Sequence, residues 1–249
     1  MKALLSNDDG YLSPALAELH RMCQKHCQHI SVIAPDRNCS GVSSALTLRK
    51  PIYTHTHSNG YVSAQGTPTD CVHIGLMGVF EENFDIVISG INIGANLGDD
   101  VVYSGTVAAA IEGRFLGYPS IAVSICSHNP THYDSAEYVL DTVINQLKKH
   151  RLPKHIILNI NIPDVPLSEL KGIKVTRASY REKPDNVEKI TNRLGETGYW
   201  IGKPGNMGDN ATDTDIYAIE NNYASITPLS TDLTDYQSLN DLSDWLEKS

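Results

Sequence analysis

Four side chains with oxygen ligands follow short apolar segments that predict buried strands. They are Asp8, Asp9, Ser40 and Asn92. In a sheet of parallel strands, the loops after the strands emerge at one edge, the carboxyl edge, where ligands bind. We therefore expect these side chains to converge in one crevice. Two carboxylates, a hydroxyl and an amide oxygen suit Mg²⁺, Mn²⁺ or Ca²⁺ better than zinc or copper.

Each of these residues taken alone also has a simpler interpretation. Asn7-Asp8-Asp9-Gly10 is a good turn sequence, Ser40 is an ordinary loop residue, and Asn92 tolerates a left-handed backbone. The position of all four side chains after separate strands favours a shared metal site over three unrelated local explanations.

A second candidate feature is the predicted helix start at Ser104-Gly105-Thr106. Free N–H groups at a helix start attract anions, and glycine lets a phosphate approach closely. Ser104 and Thr106 also suit plain helix caps, so the phosphate site depends on the joint placement of all these groups. The glycine-rich loop Gly90–Gly98 matches neither the GxGxxG pattern nor a Walker loop, which disfavours dinucleotides and triphosphates.

Short apolar segments and amphipathic segments alternate along the first two thirds of the chain. The predicted strands are Lys2–Ser6, Ile30–Ala34, Ile86–Ser89, Ser120–Ser124 and Ile156–Ile162. The predicted helices start at Ser13-Pro14, Thr67-Pro68, Ser104 and Ser135, and Asn59-Gly60 marks a hairpin within Leu46–Ala64. Strands that alternate with helices predict an α/β fold with a mostly parallel, doubly wound sheet.

The composition of the chain changes after Pro163. Residues from about 180 to 215 are polar and rich in glycine, apart from an apolar patch at Tyr199-Trp200-Ile201. The chain then ends in an amphipathic segment with Leu239, Leu242, Trp245 and Leu246. We interpret residues 1–165 as an α/β catalytic core and residues 166–249 as a C-terminal extension with a hairpin and a terminal helix. Because the extension lacks an obvious core of its own, we expect it to contact another subunit.

The charge of the chain disfavours several classes of protein. Lys and Arg number 20 and Asp and Glu number 29, which gives a net charge of −9 and a pI near 5.5. A nucleic-acid polymer would require a net basic face. We expect no membrane span, because no apolar segment reaches about 18 residues. We expect no secretion signal, because the N-terminal apolar stretch stops after three residues and meets two carboxylates. Five scattered cysteines without a CxxC pair indicate reduced thiols in a cytoplasmic protein.

A set of motifs distributed along the chain resembles the SurE family of stationary-phase survival proteins. The motifs are Leu5–Gly10, Ala34–Asn38, Ser40-Gly41, Gly66–Cys71, Ser89–Asn92, Gly98–Ala110, Asn159–Pro163 and Ser225–Leu229. The resemblance covers nearly the whole chain and is highly specific as a set. It implies a Rossmann-like fold and a 5′- and 3′-nucleotidase activity, the hydrolysis of nucleoside monophosphates.

The same resemblance implies roles for individual residues. The family's ligands for a divalent metal ion are matched by Asp8, Asp9, Ser40 and Asn92. Its phosphate-side residues are matched by Asn96, Ser104, Gly105 and Thr106. The resemblance also implies a C-terminal hairpin and helix that are exchanged within homodimers or homotetramers. Cys39 departs from the family, which often has Arg beside the serine, and this bears on substrate charge preference.

From these features we hypothesise a metal-assisted hydrolysis of a phosphate monoester, with Asp8 and Asp9 as catalytic residues and Mg²⁺ or Mn²⁺ as the cofactor. Asp9 is our choice for the general base. An aspartyl-phosphate route is the less attractive alternative, because no nucleophile has a visible His partner. Short polyphosphate is a further candidate substrate.

Two other classes of protein stay open. One is a receiver-like signalling module, which the long glycine-rich loops and the C-terminal region disfavour. The other is a non-catalytic nucleotide sensor.

Overall fold

In the computed structural model, which describes residues 1–150, 153, 156–202 and 204–247, the apolar segments of the sequence form the strands of one large sheet. In chain order the strands are β1 Lys2–Ser6, β2 His29–Pro35, β3 Thr54–Thr56, β4 Val62–Ala64, β5 Ile86–Ile93, β6 Ser120–Ile125, β7 Ile157–Ile162, β8 Ile173–Val175, β9 Glu188–Thr191, β10 Thr197–Trp200 and β11 Ala224–Leu229. The α-helices are α1 Pro14–Cys23, α2 Pro68–Ile74, α3 Gly105–Phe115, α4 Tyr133–Lys149, α5 Asp215–Glu220 and α6 Leu239–Glu247.

The described part of the chain forms a nine-stranded sheet in the order β3-β4-β2-β1-β5-β6-β7-β11-β8. The six strands from β4 to β7 in this order run parallel, while β3 and β11 are antiparallel to their neighbours β4 and β7. In the centre of the sheet, Leu5 of β1 pairs with Val32 of β2 and with Ile88 of β5. This arrangement confirms the predicted α/β class and the mostly parallel sheet.

Alternate residues of β1 contact helices on opposite faces of the sheet. Leu5 belongs to a buried cluster with residues of α1 and α4, whereas Leu4 belongs to one with residues of α2 and α3. A strand with apolar residues on both faces must be covered on both sides, which explains its continuous run of buried side chains. The sheet is therefore doubly wound, and its six parallel strands end at one common edge.

Two of the predicted helix starts show how local sequence sets an element boundary. The side chain of Thr67 accepts a hydrogen bond from the N–H of Asp70 at 3.1 Å, and Asp70 Oδ2 accepts one from the N–H of Thr67 at 2.9 Å. Such a capping box satisfies two free N–H groups at the start of α2. Ser104 caps α3 in a similar way, because its Oγ accepts a hydrogen bond from the N–H of Val107 at 3.1 Å.

The structure corrects the predicted end of the third long strand. We expected a strand to Ser89 followed by a loop, but β5 continues to Ile93. The pairing of β5 with β6 shifts register between Ser89 and Asn92, and Gly90 adopts a φ of +140°. A side chain at Gly90 would lie 2.5 Å from the carbonyl oxygen of Val123, so this position requires glycine. The irregularity reorients the end of the strand while keeping it in the sheet.

The C-terminal residues contribute both to the main sheet and to separate elements. Strands β8 and β11 extend the main sheet beyond β7, while β9 and β10 form a separate antiparallel pair. Helix α6 buries none of its residues. The division of the chain at about residue 165 stays a prediction. None of the helices in the described residues has the length and apolar character that a bilayer span requires.

Candidate functional site

The carboxylate of Asp8 lies directly beyond β1 and packs against the first turn of α3. Its Oδ1 accepts a hydrogen bond of 2.5 Å from the hydroxyl of Thr106. A Cβ atom at Gly105 would lie 2.8 Å from Cβ of Asp8 and 3.0 Å from its Oδ2. The absence of a side chain at Gly105 therefore allows Asp8 to reach the start of the helix.

Burial makes Asp8 a carboxylate that ionises only at a cost. Its side chain is almost completely buried, and this burial raises the pKa of Asp8 to about 6. The hydrogen bond from Thr106 opposes that rise, and the negative charge of Asp9 adds to it. A cation bound beside Asp8 would favour the charged form and offset the cost of burial.

The carboxylate of Asp9 joins two other loops of the same edge. Its Oδ1 accepts a hydrogen bond of 3.2 Å from the amide of Asn38, which follows β2. Burial raises the pKa of Asp9, and the nearby backbone N–H of Ile93, at the end of β5, opposes that rise. Its Oδ2 atom is buried and has no hydrogen-bond partner within the described residues. A buried oxygen without a partner is unfavourable, so this atom is a natural ligand for a bound cation.

Ser40 reaches the acidic pair through Asn38, a residue that we did not predict. Both the hydroxyl and the N–H of Ser40 donate to Oδ1 of Asn38, at 2.7 and 2.9 Å. The N–H of Cys39 donates to the carbonyl oxygen of Asp8 at 2.7 Å. Hydrogen bonds at Asn38 and at Cys39 thus join the loop after β2 to the loop after β1, and Ser40 is exposed at the rim.

Asn92 pairs with Ser124 of β6 directly after the register shift in β5. It precedes Ile93, whose backbone N–H lies near Asp9. Its side-chain N–H donates to the carbonyl oxygen of Gly94 at 2.9 Å. This hydrogen bond fixes the amide nitrogen on the loop and leaves the amide oxygen as the available ligand.

The structure therefore brings Asp8, Asp9, Ser40 and the backbone of Asn92 to one edge through a continuous set of contacts. In the ranges that the structure describes, no three His, Cys, Asp or Glu side chains group in a way that could hold a metal ion. A cation at this edge would thus depend on the hydroxyl of Ser40 and the amide of Asn92 as well as the two carboxylates. Such a set of oxygen ligands fits Mg²⁺ or Mn²⁺.

The predicted phosphate-side residues differ in what they contact. Ser104 uses its hydroxyl to cap α3, and Thr106 donates its hydroxyl to Asp8. The start of α3 therefore already contacts one anion, the carboxylate of Asp8, before any phosphate binds. The N–H groups of Gly105 and Thr106, in the first turn of α3, have no acceptor inside the helix. The role of Ser104, Gly105 and Thr106 toward phosphate stays a prediction.

Asn96 lies at the same edge but is directed toward the ends of β6 and β7. Its side-chain amide donates to Oγ of Ser124, and its N–H donates to Oδ1 of Asn161, both at 2.8 Å. Asn159 and Asn161 donate to its carbonyl oxygen at 2.8 and 2.9 Å. This buried polar network was not predicted, although two asparagines at alternate positions of an apolar strand are a visible signal for it. The role of Asn96 toward phosphate stays a prediction.

Comparison with known proteins agrees with this architecture. The family model described as "Survival protein SurE" matches residues 3–185. The chain is 48% identical over 248 residues to a protein of Pseudoalteromonas atlantica named 5′-nucleotidase SurE, with 100% of both chains covered. It is 46% identical to a protein of the same name from Pseudomonas putida, with 99% of both covered. The crystal structure of a SurE protein from Aquifex aeolicus aligns with a TM-score of 0.87 and 38% identity, over 99% of this chain and 100% of that one.

Proposed function

Because the chain belongs to the SurE family, we propose that it is a metal-dependent phosphatase that hydrolyses nucleoside 5′-monophosphates to nucleoside and phosphate. Relatives at 46–48% identity named 5′-nucleotidase SurE support the reaction class. The observation that carries the proposal is the pair Asp8 and Asp9 at the carboxyl edge, with the buried Oδ2 of Asp9 lacking a partner within the described residues. Nucleoside 3′-monophosphates and short polyphosphate are further proposed substrates.

The proposed ligands for one Mg²⁺ or Mn²⁺ ion are Asp8, Asp9, Ser40 and Asn92. Two carboxylates about 5 Å apart repel each other by roughly 3 kcal/mol at an effective dielectric constant near 20, and a phosphate dianion adds repulsion of similar size. A bound divalent ion supplies neutralisation of this charge and Lewis-acid activation of the phosphoryl group and of water. Without it, this edge would repel the substrate.

Groups of the protein have three tasks in the proposed reaction. Asp8 is held in place by the hydroxyl of Thr106, and the N–H of Gly105 at the start of α3 faces developing negative charge. Asp9 is the proposed general base and accepts a proton from the attacking water. A bond forms between the water oxygen and phosphorus as the bond to the 5′ oxygen breaks. The leaving 5′ oxygen takes up a proton from solvent water, and Asp9 later returns its proton to solvent.

The decisive experiment measures phosphate release from AMP and GMP by the purified protein. We expect release with Mg²⁺ or Mn²⁺, none after treatment with EDTA, and a loss of at least 100-fold in kcat for Asp9→Asn, in the range typical of general bases. Asp134→Asn, on an exposed residue at the start of α4, is the matched control and keeps full activity. Undiminished release with EDTA or in Asp9→Asn would contradict the scheme.

The same assay separates the alternatives. A non-catalytic sensor would bind AMP without releasing phosphate, and a receiver-like module would become stably phosphorylated by a small phosphodonor without turnover. A covalent aspartyl-phosphate would appear as ³²P retained on the denatured protein after rapid quenching. We expect none of these three results.

We also propose that a second copy of the chain is the physiological partner, in a homodimer or homotetramer. The apolar side chains of α6 are between 49% and 64% exposed, and Tyr199, Trp200 and Ile201 on the β9–β10 hairpin are exposed as well. A monomer in analytical ultracentrifugation at micromolar concentration would contradict this. The five free cysteines support a reducing compartment, which we propose is the cytoplasm.

A further inference from the structure

The segment that leads into α3, Gly98–Ser104, is held by residues far away in the C-terminal region. We call it the rim segment. The guanidinium of Arg181 forms two parallel hydrogen bonds with the carboxylate of Asp100, from Nε at 2.8 Å and from Nη2 at 2.5 Å. The backbone N–H of Arg181 donates to Oδ2 of Asp99 at 2.9 Å. Paired, charge-assisted hydrogen bonds of this kind are strong and fix direction as well as distance.

A buried carboxylate holds the beginning of the same segment. Asp215 is fully buried, and it accepts hydrogen bonds from the N–H of Gly98 at 2.8 Å and from the N–H of Ser179 at 3.0 Å. Gly98 has a φ of +53°, and a side chain there would lie 2.8 Å from the carbonyl oxygen of Ser179. The rim segment and the chain near Ser179 are therefore in direct backbone contact.

The far end of the rim segment contacts the loop that carries Ser40. The N–H of Ser43 donates to the carbonyl oxygen of Tyr103 at 3.1 Å, and the hydroxyl of Ser43 donates to the carbonyl oxygen of Val102 at 2.8 Å. The next residues along the chain are Gly105 and Thr106, which pack against Asp8. A displacement of the rim segment would thus move the first turn of α3 relative to the acidic pair.

From these contacts we propose that Arg181 is a positioning residue: through Asp100 it holds the rim segment, and with it the first turn of α3, in register with Asp8. This goes beyond the proposed function, and its effect on catalysis rests on that function. Arg181 itself touches neither Asp8 nor Asp9 in any described contact. A misplacement of catalytic groups by about 1 Å lowers the rate by up to about 100-fold.

The catalytic test compares Arg181→Gln and Asp100→Asn with Arg177→Gln. Arg177 is the matched control, because its ion pairs with Asp209 at 2.6 Å and Asp213 at 3.0 Å lie entirely within the C-terminal region. We expect Arg181→Gln and Asp100→Asn each to lower kcat for AMP by about 10-fold or more, with a smaller change in KM. The double variant should be no worse than either single variant. Arg177→Gln should stay within about twofold of the wild-type kcat.

Rescue by a conservative variant separates positioning from charge alone. Arg181→Lys keeps the positive charge but loses the forked geometry. We expect it to recover less than half of the lost kcat. Full recovery in Arg181→Lys, or equal kcat in Arg181→Gln and Arg177→Gln, would overturn the proposal.

Hydrogen–deuterium exchange provides a test that does not depend on catalysis. In Arg181→Gln we expect faster exchange of the amides between residues 98 and 107. Arg177→Gln should alter exchange near residues 209 to 213 and leave the amides between residues 98 and 107 unchanged. Unchanged exchange at 98–107 in Arg181→Gln would refute the positioning role even if the enzyme is active. Absence of phosphate release by the wild-type protein would refute the proposed function instead, and the exchange result would still decide the role of Arg181.

Discussion

The hydroxyl of Thr106 donates a 2.5 Å hydrogen bond to Oδ1 of Asp8, 98 positions earlier in the chain. This contact joins the end of β1 to the start of α3 and places a buried carboxylate where a helix favours negative charge. The helix start therefore stabilises part of the proposed metal site before any substrate arrives. A phosphate bound there would have to share the same helix terminus with Asp8, which makes a cation between the two anions more important.

Replacement of Thr106 tests the importance of this hydrogen bond. Thr106→Val keeps the shape of the fully buried side chain and removes the donor, at a cost of about 1.5–3 kcal/mol for a bond to a charged group. Because this bond lowers the pKa of Asp8, its loss should raise that pKa further. We expect the acid limb of the pH profile of kcat/KM to move to higher pH. The control Thr106→Ser keeps the hydroxyl and should retain the wild-type pH profile. Equal pH profiles for Thr106→Val and Thr106→Ser would contradict the prediction.

A methyl group at Gly105 should disturb the same contact by steric overlap. Its Cβ would lie 2.8 Å from Cβ of Asp8, so either the helix or the carboxylate must move. We expect Gly105→Ala to lower the free energy of unfolding by about 1–3 kcal/mol, as for other overpacked sites, and to abolish most phosphate release. Gly78→Ala is the control, because a Cβ at Gly78 contacts nothing within 4 Å. Urea titrations and phosphate assays of both variants provide the measurement. Wild-type stability and activity in Gly105→Ala would contradict the predicted overlap.

Local patterns of the sequence were sufficient for most of the fold but not for side-chain direction at the site. The apolar segment Lys2–Ser6 and the cap at Thr67 predict elements that the structure contains, because burial and capping act over a few residues. The continuation of β5 to Ile93 depends on the backbone of Val123 in the neighbouring strand, a contact that no local pattern reports. The engagement of Thr106 with Asp8 is likewise a tertiary contact.

Similar limits apply to the C-terminal region. The antiparallel place of β11 beside β7 follows from pairing between distant segments. The contact of Arg181 with Asp100 spans 81 positions and has no signal in the sequence. Neither arginine nor aspartate is unusual in a polar loop, so only the tertiary structure distinguishes this pair from solvated charges.

Asn38 should support metal binding although we assign it no direct ligand role. It donates to Oδ1 of Asp9 at 3.2 Å and accepts from the hydroxyl of Ser40 at 2.7 Å, so it orients two proposed ligands. Loss of such a supporting residue typically lowers metal affinity by 10- to 100-fold. We expect this decrease for Asn38→Ala in calorimetric titrations with Mn²⁺. Asn129→Ala, at an exposed position in the loop after β6, should bind Mn²⁺ like the wild type; equal affinity in both variants would exclude the orienting role.

The raised pKa of Asp8 has a consequence for stability that can be measured without substrate. In the folded protein the pKa of Asp8 is about 6, against an ordinary value of 3.8. Below the ordinary value Asp8 is protonated in both states and contributes nothing, whereas above pH 6 its ionisation in the folded state lowers stability by about 3 kcal/mol. Asp8→Asn removes that cost.

We therefore expect metal-free Asp8→Asn to be more stable than the wild type by about 3 kcal/mol at pH 8 and by about half as much at pH 5, because the cost develops between the two pKa values. Urea unfolding in EDTA at both pH values provides the measurement. The control Asp134→Asn, at an exposed site, should differ little from the wild type in its free energy of unfolding at either pH. Addition of Mg²⁺ should stabilise the wild type and leave Asp8→Asn nearly unchanged, since ligands that bind only the folded state raise its stability. A constant difference between the wild type and Asp8→Asn across this pH range would show that burial does not raise the pKa of Asp8.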